Sequence, residues 1–189
     1  MNFLQKIAQF LLLLGLALYL GGMVALGAIA APQLFNTVRQ VQGTSPLLPP
    51  EPDAPAQLGG EIFGNILRQF AYMEWLSIGC IVVALLIQIA APLWRGVWGV
   101  LRAIIVVVLI TVAFYDGFHL TPNIWAERQA WRDAVARSQI DAVLHHDRFN
   151  TLHQESELLG HIKTYLLLGL LILTACRTTP RSPVSSTTA

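Results

Sequence analysis

From Ile7 to Ala31 the chain runs 25 residues interrupted only by Gln9, and no other feature limits the fold as much. A helix crosses a bilayer core with ~20 residues. A helix that is apolar on every face needs either a large protein core or lipid around it. At 189 residues the chain cannot supply the first, and its composition points to the second: 54% of residues are hydrophobic and only 12% are charged. Ordinary soluble domains carry about a quarter charged residues. A competing reading of the same run is a cleaved signal peptide, because Lys6 precedes it and Ala28-Ile29-Ala30 imitates a small-x-small cleavage site. The run exceeds the roughly 7–15 residue core of such peptides, which favours a retained span.

Three further apolar runs follow. Gly59–Phe70 has helical spacing through Ile62, Ile66, Leu67 and Phe70 and leads into Ala71–Leu93, with Tyr72 and Trp75 at the level where aromatic residues favour the interface. Arg95 and Arg102 bracket a turn, after which Ala103–Tyr115 is nearly continuous Ile, Val and Leu. The last run ends at Cys176. The prediction is an all-α integral membrane four-helix bundle forming one compact unit, with spans at about 7–31, 71–93, 102–120 and 157–176. Pro32 is expected to end the first helix, leaving a proline-rich loop over 33–58. Thr121-Pro122 is expected to mark a break and restart. Ile124, Trp131 and Val135 then predict an additional interfacial amphipathic helix over 123–148, between spans three and four. The Ser/Thr/Pro-rich tail, 177–189, is expected to be disordered. Cys80 and Cys176 fall toward opposite membrane surfaces, so no disulfide is expected.

Lys6, Arg95, Arg102, Arg177 and Arg181 occupy short ends and a short turn, while the other arginines are spread over two long connections. That density favours an inner (plasma) membrane protein with both termini cytoplasmic. Ala17, Gly21 and Ala25 repeat every four residues and form a small-residue stripe on span one, a candidate helix-packing face.

The chemistry-bearing residues gather around the entry to span four. His153, Glu157 and His161 lie four apart and share one helical face. The uncharged stretch Thr164–Cys176 is too short to cross hydrocarbon alone, so the turns holding His161 and Lys163 are drawn into the span. Lys163 is expected to snorkel to the headgroups. With four spans, Glu74, Asp116, His119, His153, Ser156, Glu157 and His161 fall on one membrane side and form a candidate polar cluster. Within it His119, His153, Glu157 and His161 are candidate ligands, since imidazole and carboxylate suit zinc, copper or iron. A plainer role outweighs ligation: these groups can satisfy the unpaired amides of a helix entrance and pair with neighbouring arginines.

The span-one string Gly21-Gly22 through Ala31-Pro32-Gln33-Leu34-Phe35, Gly60-Glu61-Ile62-Phe63-Gly64, Thr121-Pro122-Asn123-Ile124, and Phe149-Asn150-Thr151-Leu152-His153 with Ser156 resemble the transmembrane protein 205-like family over about residues 10–175. Eukaryotic members of that family are linked to export or tolerance of platinum compounds, so the resemblance implies solute handling. Members typically carry an asparagine one turn after the serine matching Ser156, and here Gly160 stands there with His161 beside it.

Three function classes follow: a solute- or metal-handling membrane protein, a haem- or metal-binding redox component, and a membrane scaffold subunit. No cofactor is expected under the first and third, and a transition metal or haem under the second. Expected partners are the bilayer, a small solute, and a second copy or another membrane protein. No nucleophile and base motif or nucleotide-binding glycine loop predicts an enzyme. No basic, aromatic-interleaved surface predicts a nucleic-acid partner.

Overall fold

The computed structural model describes residues 3–42, 54–90, 97–137 and 140–176. Nearly all of those residues are helical, with no strand among them. Helix α1 (Phe3–Val24) passes through a π-helical segment (Ala25–Ala30) into α2 (Ala31–Gln42), and α3 spans Ala54–Ala90. Helix α4 (Val97–Tyr115) passes through a second π-helical segment (Asp116–Leu120) into α5 (Thr121–Ala136), and α6 spans Ala142–Ala175. The proline-rich stretch 43–53, the turn at Arg95 and the tail 177–189 lie outside the described residues.

Four rods are long and apolar enough to cross a membrane: Phe3–Val41, Leu58–Ala90, Val97–Ala136 and Ala142–Ala175. In the most apolar window of each, only 22% of residues are buried inside the protein. Phe10, Leu86, Ile104 and Ile172 are all more than half exposed. Leaving that much apolar surface in water would cost about 25 cal/mol per Å2, so lipid is its solvent. The chain is a multi-pass membrane protein.

Where composition predicts one compact unit, the packing divides the chain into Met1–Leu93 and Trp94–Ala189. Each is a hairpin of two long helices. In the first, α1 packs on α3 through Ala8, Leu12, Leu16 and Tyr19, with Ile78, Ile81 and Ala84 buried on α3. The close approach is made at Gly15, where an added Cβ would stand 2.7 Å from the Ser77 carbonyl oxygen and 2.8 Å from Ile81. The small-residue stripe expected to pack, Ala17, Gly21 and Ala25, is exposed instead. It lies on a different face of α1, because the bulkier residues at 12, 16 and 19 follow the Gly15 side. In the second unit Val106, Leu109 and Ala113 are buried on α4, and Leu167, Leu170 and Thr174 on α6.

Two expectations about boundaries need correction. Pro32 does not end the first helix. The preceding π-helical segment closes with the Ala31 amide donating to the Leu26 carbonyl, five residues back. That wider turn moves the carbonyls away from the proline ring, which in an α-helix would strike the carbonyl four residues back. The separate surface helix over 123–148 is not present either. Helix α5 continues α4 without a restart and ends at Ala136, and residues from Ala142 onward belong to α6. Helix α6 packs on α5 through Trp131, whose ring lies 4.8 Å from His146 and 6.2 Å from Phe149, and Glu127 meets His145 Nδ1 at 2.7 Å, while Val135 is exposed.

The two units share one build. In each, a long apolar helix opens into a π-helical segment one residue before a proline, and a polar helical extension follows. Ala31-Pro32-Gln33-Leu34-Phe35 and Thr121-Pro122-Asn123-Ile124-Trp125 occupy the same place, 90 residues apart, and Gly27 and Gly117 precede them at the same distance. The closing hydrogen bonds match as well: Ala31 amide to Leu26 carbonyl, Thr121 amide to Asp116 carbonyl.

Candidate functional site

The second unit carries charge where its helices are otherwise apolar. Lys163 on α6 is 4% exposed, on the same stripe as Leu167, Leu170 and Thr174, so its side chain faces α4 and not solvent. Its ammonium donates to Asp116 Oδ2 at 2.7 Å, and the Ser156 hydroxyl donates to Asp116 Oδ1 at 3.2 Å. The lysine and aspartate side chains are 5% and 13% exposed. Lys163 therefore does not snorkel to the headgroups. A carboxylate within reach, at the start of the second π-helical segment, neutralises it in place, which removes the reason to stretch toward water.

Local structure places this pair. Asp116 opens the second π-helical segment, and its backbone carbonyl accepts the bond that closes that segment. One residue back, the Tyr115 hydroxyl donates to Glu155 Oε1 at 2.9 Å, so the last residue of α4 and the first of the π-helical segment engage two adjacent α6 positions. Only 12 residues, about 18 Å of helix, separate Lys163 from the end of α6. A hydrocarbon core of ~30 Å must then include Lys163. An ionisable side chain held inside a span is by default a candidate for function.

The other expected site residues are distributed differently. Glu74 belongs to the first unit, where the fully buried Tyr19 donates its hydroxyl to Oε1 at 2.8 Å. His119 is exposed, its ring 5.3 Å from that of Tyr115. His153 and Glu157 are both exposed and stand 3.4 Å apart, and the His153 ring stacks on Phe149. His161 is exposed too. Of the seven expected residues, the structure brings Asp116 and Ser156 together and adds Lys163. Among the described residues, no three His, Cys, Asp or Glu side chains are grouped so that they could hold a metal ion.

Beyond this pair, α5 and α6 enclose an open groove of about 500 Å3, lined by Asn123, Ala126, Glu127, Asp147, Arg148, Thr151 and Leu152. Glu127 is its most engaged charge, 2.7 Å from His145 and 3.8 Å from Arg148.

The family model for a domain of unknown function, DUF4149, matches residues 14–130. The chain belongs to the DUF4149 family. The matched stretch contains both proline-bearing π-helical segments and Asp116, while α6 with Lys163 and Ser156 lies after it. No curated protein and no solved structure matches this DUF4149 chain.

Proposed function

We propose that this DUF4149 protein handles a small solute at the membrane, and that Asp116, Lys163 and Ser156 form the polar element through which it does so. One observation carries the reading: an ion pair held inside two apolar helices. Taking two charges out of water costs several kcal/mol per ion, and hydrophobic residues of similar volume often serve stability as well or better. A charged pair at that place therefore suits a role beyond packing. The likeness to transmembrane protein 205-like sequences supports the same class, because members of that family are linked to platinum-compound tolerance. An inner-membrane location with both termini cytoplasmic belongs to this reading, as does a non-catalytic role, since the sequence carries no nucleophile and base motif.

The test uses cisplatin as probe. Cells expressing the protein should retain less platinum after exposure than cells without it. Asp116→Asn and Lys163→Met should abolish that difference at unchanged protein abundance, while His153→Ala and His161→Ala should leave it intact. If the two pair variants clear platinum as the parent protein does, the pair has no part in solute handling.

A further inference from the structure

We infer that the Asp116–Lys163 pair latches the joint at the second π-helical segment, so that the widened turn between α4 and α5 is held by α6. The argument starts from Asp116 alone. Its backbone carbonyl closes the widened turn by accepting from the Thr121 amide, and its carboxylate accepts from Lys163 and Ser156 on α6. Any change in the turn that rotates residue 116 must pull one carboxylate oxygen off the ammonium or the other off the hydroxyl. A π-helical turn followed by proline is where a long helix can change direction, because the proline has no amide to donate and its ring crowds the carbonyl four residues back, so backbone bonding is weakest there. Joint and ion pair are thus one mechanical element.

The first unit supplies an internal comparison. Its joint has the same backbone bond and the same proline, but Leu26 stands where Asp116 stands. A leucine side chain offers no hydrogen bond across to a neighbouring helix. The Pro32 joint is built alike and lacks this latch; the Pro122 joint has it. Tyr19 and Glu74, which are bonded to each other in the first unit, lie outside the π-helical segment.

This inference concerns regulation of the site proposed above. It rests on that reading for its biological use and not for its physics, and the measurement keeps the two apart. Full-length protein in lipid nanodiscs is followed by hydrogen exchange, comparing amides from Gly117 to Ile124 with those from Gly27 to Leu34. Asp116→Asn and Lys163→Gln should each speed exchange in the Gly117–Ile124 stretch by about tenfold or more, since losing one member of a buried pair destabilises its surroundings strongly. The Gly27–Leu34 stretch should exchange as in the parent. Unchanged exchange after both substitutions overturns the latch, and so does an equal rise in both stretches, which would report general loosening. Should Asp116→Asn fail to give monodisperse protein, Ser156→Ala, which removes only the weaker of the two cross-helix bonds, should give a smaller rise confined to the same stretch, and no rise there overturns the proposal. Faster exchange with normal platinum clearance keeps the latch and removes the solute reading. Lost clearance with unchanged exchange does the reverse.

Discussion

The guanidinium of Arg102, near the start of α4, donates to the carbonyl oxygen of Leu173, near the end of α6. Leu173 is among the last four residues of its helix, whose carbonyls have no partner within it, and a cation is favoured at that end. Arg102 is 4% exposed, so the bond forms away from competing solvent. Replacing it with Met should cost about 1.5–3 kcal/mol, the range for hydrogen bonds to charged groups. The loss is read as a lower melting temperature of detergent-purified protein, and an unchanged melt would show that the bond contributes nothing.

A double-mutant cycle on Asp116 and Lys163 should be strongly non-additive. Lys163→Met alone strands a carboxylate beside apolar helices and is expected to cost about 3–5 kcal/mol. The double variant with Asp116→Leu should recover most of that, because an apolar pair of similar volume carries no desolvation cost. Thermal denaturation of the four proteins measures the coupling, and simple additivity would place the two side chains out of contact.

Gly15→Val should loosen the first unit. The new side chain would meet the Ser77 backbone, which cannot swing aside as a side-chain tip can. Overpacking of this kind costs about 1–3 kcal/mol. Gly21→Val, at a position with nothing within 4 Å, should be tolerated. Comparing monodisperse yield and melting temperature of the two separates close packing at Gly15 from a general dislike of bulk on α1.

If all four rods cross the bilayer, each hairpin leaves the membrane on the side it entered. Single cysteines at Gln33 and Asn123 should then react with an impermeant maleimide from the same face, in a background with Cys80 and Cys176 replaced. Reaction from opposite faces would remove one of the four crossings.

Much of this architecture could be read from residue order, because an apolar stretch of 18 residues or more has few places to go. The four crossings and the absence of strands follow from that. What failed was punctuation. Proline is a reliable helix breaker only while the turn before it is α-helical, and nothing in Ala25–Ala30 advertises a π-helical turn. The end of α5 at Ala136 and the start of α6 at Ala142 were hidden because residues on both sides keep helical spacing. In the site, Asp116 and Ser156 were legible as polar groups at span ends, but His153, Glu157 and His161 drew the eye to the wrong stripe of α6. The informative stripe was Lys163, Leu167, Leu170 and Thr174, spaced four, three and four, which is the spacing of a buried seam. A lysine at its head is a poor candidate for snorkelling. Only the fold, which carries Asp116 across 47 positions of sequence, shows why it can stay.

The buried lysine also bears on how the protein is made. A bare lysine at the centre of a helix entering lipid costs ~2.5–3.5 kcal/mol on insertion scales. Chains emerge from the ribosome in order, so Asp116 has been synthesised well before Lys163 appears. The last helix can therefore be received by a counter-charge already in position, and a rearranged gene that placed α6 ahead of α4 would take that reception away.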